Sequence, residues 1–97
     1  MIFVDADSCE KNAREFILNA AVKKNLKVIF AANKNIPFAF NNPLFKMEIC
    51  SKEKNSADDF IVEKSKPGDI VVTRDLILAQ RIFNKKIPVM NDKGTVF

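Results

Sequence analysis

Short continuous apolar runs alternate along the chain with segments whose apolar residues recur at helical spacing. Ile2-Phe3-Val4-Asp5 reads as a first buried strand and Val28-Ile29-Phe30-Ala31 as a second, each short enough for a parallel sheet. Between them Ala13, Phe16, Ile17, Ala20 and Ala21 form one helical face, with Lys11, Arg14, Glu15, Lys23 and Lys24 on the other. Residues 33–43 read as a loop with four Asn and two Pro, and they carry Phe38 and Phe40. Lys46-Met47-Glu48-Ile49-Cys50 alternates as an edge or half-exposed strand does. Ser56 and Asp59 match a capping box that opens a second helix, which stops before Pro67-Gly68. Ile70-Val71-Val72-Thr73 is the third long apolar run. Asp75 begins a third helix with Leu76, Ala79, Ile82 and Phe83 as its inner face. Pro88-Val89-Met90 is a last short strand, and Asn91-Asp92-Lys93-Gly94 reads as a turn.

The order β-α-β-β-α-β-α-β implies an α/β fold, a mostly parallel sheet with helices on both faces. At 97 residues the chain is expected to form one domain, and no linker, repeat or low-complexity tract interrupts it. With two glycines, Gly68 and Gly94, it lacks the glycine-rich fingerprint that cradles a dinucleotide. No apolar run approaches a membrane span and no leader pattern is present, so a cytoplasmic location and no membrane partner are expected.

Histidine is absent, which removes Ser-His and Cys-His catalysis. Cys9 and Cys50 are too few for a disulfide framework or a zinc site. Cys9 at a helix start reads either as a small buried residue or as an activated thiol. Any metal site must be built from oxygen, which points to Mg2+ or Mn2+.

In an open parallel sheet, ligands bind at the carboxyl ends of the strands. Asp5, Asp75 and Asp92 each follow a strand, Asp7 lies two residues beyond Asp5, and Asp58 and Asp59 open the second helix. Asp69 precedes its strand and belongs to the opposite edge. Crowded carboxylates resist ionising together unless a cation compensates them, and such a set is what metal-assisted phosphodiester hydrolysis needs. Structural duties compete for the same residues: helix capping for Asp7, Ser8, Asp59 and Asp75, and an ordinary turn for Asp92. Six of the 12 acids flank element ends, while the 16 Lys and Arg are scattered elsewhere, a pattern that suits a polyanion substrate. Arg74 and Lys93 are the candidate phosphate contacts.

Val4-Asp5-Ala6-Asp7-Ser8-Cys9, Ala31-Ala32-Asn33, Ala57-Asp58-Asp59-Phe60-Ile61-Val62, Pro67 through Asp75 with Leu78-Ala79, and Asn91-Asp92-Lys93-Gly94 occur in that order. This ordered set resembles the YaiI/YqxD-type family of uncharacterised bacterial proteins, within the PIN-like nuclease superfamily. The resemblance implies a three-layer, Rossmann-like sheet of strand order 3-2-1-4-5. It places the acidic catalytic roles on Asp5, Asp58 and Asp75, with Asp7 and Asp59 as further metal-site residues. Ser8 and Glu10 depart from the Ala and Pro usual around Cys9, Arg74 from a small residue, and Asp92 from a usual Pro. The resemblance also implies some tens of residues beyond the point where this sequence stops.

The leading expectation is a Mg2+- or Mn2+-dependent nuclease acting on RNA rather than DNA. One alternative is a non-catalytic module of the same fold that binds nucleic acid or a protein partner. Another is a haloacid-dehalogenase-type phosphatase, because Asp5-x-Asp7 after an apolar strand imitates its nucleophile and acid pair. Substrate identity and oligomeric state stay open at this level.

Overall fold

The computed structural model describes residues 1–33, 42–51, 53 and 56–96. The predicted loop with Phe38 and Phe40 falls largely outside them. Strand β1 (Ile2–Asp5) leads through a tight turn, Ala6–Ser8, into helix α1 (Lys11–Lys24). Strands β2 (Val28–Ala32) and β3 (Phe45–Ile49) follow, then α2 (Ser56–Lys64), β4 (Ile70–Val72), α3 (Leu76–Asn84) and β5 (Val89–Met90). The five strands form one sheet in the order β3-β2-β1-β4-β5, and every strand pairing is parallel. Half-exposed β3 lies at one edge, as its alternating pattern predicts.

Alternation along the strands assigns their side chains to two cores. Phe3, Ala31, Val71 and Val89 pack on one face against Ala57 and Ile61 of α2 and Leu78, Ala79 and Ile82 of α3. Val4, Val28, Phe30, Ala32 and Val72 pack on the other against Leu18 and Ala21 of α1. By the same period, Asp5 and Thr73 continue the face of Phe3 and Val71, the side covered by α2 and α3.

The helix faces differ from their sequence reading in detail. Leu18, missing from the predicted face of α1, is fully buried, whereas Phe16 is 74% exposed. In α3 the buried stripe is Leu78, Ala79 and Ile82, and Leu76 and Phe83 are exposed. The reason is that each helix offers the sheet a narrow stripe, narrower than its run of apolar positions. The capping box is also replaced. Ser56 Oγ donates to the Ser51 carbonyl at 2.7 Å, and the Asp59 carboxylate pairs with Arg81 at 2.9 Å. Among the described residues, no helix is long and apolar enough to cross a membrane.

Candidate functional site

Asp5 ends β1 with only 4% of its surface exposed. One of its oxygens, Oδ2, accepts from Ser8 Oγ at 2.7 Å and from Thr73 Oγ1 at 2.8 Å. Burial pushes the Asp5 carboxyl above its ordinary value; the two hydroxyls oppose this, and the charges of Asp7 and Asp75 add to it.

Asp75 caps α3, accepting from the backbone N–H groups of Ile77 at 2.9 Å and Leu78 at 3.3 Å. Its own N–H donates to Thr73 Oγ1 at 3.0 Å, which fastens the cap to the end of β4. Asp58 stands in the first turn of α2, where burial and the charges of Asp5 and Asp75 push its carboxyl up to about 6. Three carboxylates from three separate elements therefore act on one another.

Asp7 is exposed and accepts from the Asn33 backbone N–H at 2.8 Å. The Asn33 side chain in turn accepts from the Ala57 N–H at 3.3 Å, which ties the turn after β1 to the start of α2 beside Asp58. Asp59 is the outlying member, exposed and paired with Arg81. Arg74 is engaged by Asp92 and stands 3.7 Å from Glu10. Lys93 is exposed on the turn after β5. Asp69 lies at the opposite end of the sheet, 3.4 Å from the chain's amino terminus.

Cys9 is buried, and burial drives its thiol up to about 11, which makes it a packing residue. Both cysteines are free. Sequence reasoning missed the two hydroxyls on Asp5 and the Asn33 bridge. The available signals were Ser8 three residues after Asp5, and Thr73 at the end of an apolar strand just before Arg74-Asp75.

The donor set is all oxygen and suits a hard divalent cation. Among the described residues, no group of three acidic or thiol side chains is arranged to hold a metal ion. Mg2+ is commonly held by one or two carboxylates, with water and substrate phosphate completing its shell. Asp5 with Asp58 or Asp75 fits that manner of binding.

A family model described as "Uncharacterized BCR, YaiI/YqxD family" matches residues 3–97. The chain belongs to the YaiI/YqxD family. It is 40% identical over 96 residues to a UPF0178 protein of Treponema denticola, covering 99% of this chain and 60% of that protein. A UPF0178 protein of Aliivibrio salmonicida is 35% identical over 96 residues, 99% of this chain and 63% of its own length. One from Treponema pallidum is 36% identical over 96 residues, again 99% of this chain and 54% of the relative. The chain thus spans between 54% and 63% of the length of these three family members. No solved structure matches the sequence.

Proposed function

We propose that this domain is a PIN-like, Mg2+- or Mn2+-dependent phosphodiesterase acting on RNA. The observation that carries the reading is the half-buried Asp58 carboxyl, pushed up by burial and by the charges of Asp5 and Asp75, which lie beyond the carboxyl ends of β1 and β4. Carboxylates gathered where burial and neighbouring negative charge disfavour ionisation form a site whose charge a cation relieves. A divalent cation bound there supplies activation of water and neutralisation of phosphoryl charge. Asp5 and Asp58 are the residues that would hold it. Asp75 keeps one oxygen on the α3 backbone and offers the other. Asp7, at the rim, would serve a second cation or orient the phosphate. RNA as substrate rests on the superfamily resemblance and on the basic composition, 16 Lys and Arg against 12 acids.

A non-catalytic RNA-binding module of the same fold is the second reading. It is favoured by the lack, among the described residues, of a three-ligand group. The phosphatase reading has less support, because Asp7, which would serve as its acid, is directed to the Asn33 backbone N–H.

The deciding experiment incubates the protein with labelled RNA and single-stranded DNA across a Mg2+ and Mn2+ series, with a chelator control. Metal-dependent RNA cleavage, lost in Asp75→Asn, supports the phosphodiesterase. Asparagine caps a helix as well as aspartate does, so this variant keeps α3. Bound but uncleaved RNA, with wild type and variant alike, makes the non-catalytic module the better reading.

A further inference from the structure

Ser8 closes the tight turn after β1 and is half-buried. Its hydroxyl donates to Asp5 Oδ2 at 2.7 Å and accepts from the Arg74 backbone N–H at 3.2 Å. Thr73 is engaged in the same double way, donating to Asp5 Oδ2 at 2.8 Å and accepting from the Asp75 N–H at 3.0 Å. A hydroxyl owns one proton. Both protons are therefore spent on Asp5, and the 3.2 Å approach of the two hydroxyl oxygens has no proton of its own. One carboxylate oxygen is saturated by this arrangement. Among the described residues, no protein donor reaches the other, Oδ1.

We propose that Ser8 is a positioning residue of the acidic pocket. By bridging Asp5 Oδ2 and the Arg74 N–H, it fixes the Asp5 rotamer so that Oδ1 is the oxygen left for a divalent cation. It also ties the loop that carries Asp75 to the loop that follows Asp5. The inference rests on the cation-site reading given above. Loss of a group that orients a metal ligand commonly weakens metal binding by tenfold or more.

The test compares wild type, Ser8→Ala and Ser8→Thr, by electron paramagnetic resonance titration with Mn2+ and by amide exchange of the metal-free proteins. Ser8→Ala removes one oxygen from a half-buried position and leaves the backbone unconstrained, so the variant folds. It is expected to bind Mn2+ about tenfold more weakly, and its Arg74 amide is expected to exchange faster. Ser8→Thr, which keeps the hydroxyl, restores both. Mn2+ binding by Ser8→Ala equal to a measurable wild-type affinity overturns the positioning role and leaves the cation site standing. An unchanged Arg74 exchange rate overturns the bridge. Failure of wild type itself to bind Mn2+ overturns the cation-site reading, and this inference with it.

Discussion

The guanidinium of Arg74 lies against Asp92, its Nη2 2.6 Å and its Nε 2.8 Å from the same carboxylate oxygen. That oxygen also accepts from the Glu10 backbone N–H at 3.1 Å. Segments that follow β1, β4 and β5 are thus fastened at one point beside the acidic pocket. Arg74, a phosphate contact in the sequence reading, is held internally and must leave Asp92 to meet a substrate.

Asp92→Asn is accordingly expected to lower the melting temperature near neutrality, with a deficit that closes in acid. Hydrogen bonding from Arg74, with help from the Glu10 N–H, holds the Asp92 carboxyl below its ordinary range. A depressed folded-state pKa stabilises the fold above the unfolded value, and that contribution is lost as pH falls through the folded value. Calorimetric melts of both proteins, near neutrality and in acid, measure it. A deficit that does not change with pH would assign Asp92 a packing role instead.

Asp58 gives the opposite sign. Its carboxyl is raised from 3.8 to about 6, so between those values the folded chain holds a proton that the unfolded chain has released. Stability of the metal-free protein therefore falls as pH rises through that interval. Asp58→Asn is expected to melt higher than wild type near neutrality and to lose the advantage below the interval. Added Mg2+ or Mn2+ should narrow the difference by stabilising wild type alone. Melts across pH, with chelator and with metal, read both effects.

The strands were legible because continuous apolar runs such as residues 28–31 and 70–73 suit a strand buried on both faces. Their carboxyl ends placed Asp5 and Asp75 without further information. Helix faces were less legible. Phe16, Leu76 and Phe83 carry helical spacing yet lie beyond the stripe the sheet covers. Ser56 and Asp59 have the spacing of a capping box, but Ser51 and Arg81 compete for their polar atoms. The engagement of Arg74 by Asp92, and of Asp5 by Thr73, spans 18 and 68 residues, and local pattern holds no record of such pairings.

Lys85 offers a test of the scaffold. Its ammonium donates to the carbonyls of Val62 and Ser65 at the carboxyl end of α2, an end that a cation favours. Lys85→Met keeps much of the stem and removes the donors. A loss of about 1 kcal/mol is expected in urea unfolding, with Mn2+ affinity unchanged because the acidic pocket lies at the other end of α2. A matched loss of metal binding would show that α2 transmits strain to Asp58.

Asp5 separates chemical from structural duty most sharply. Its Oδ2 is the acceptor of two hydroxyl protons, from Ser8 and Thr73, in a position that water scarcely reaches. In Asp5→Asn the amide oxygen can occupy the Oδ2 position and keep both bonds, while the amide nitrogen replaces Oδ1. Charge is lost, and with it the desolvation cost that chiefly raises this carboxyl and the lesser repulsion from Asp7 and Asp75. The variant is therefore expected to fold with wild-type or slightly higher stability in chelator, and to lose Mn2+ binding. Asp5→Ala removes the acceptor altogether and leaves the hydroxyls to find new partners, a cost of about 1–3 kcal/mol. Urea unfolding of both variants in chelator, alongside Mn2+ titration, distinguishes the two duties. If Asp5→Asn were as destabilised as Asp5→Ala, the negative charge itself would be structural, and the case for Asp5 as a cation ligand would fall.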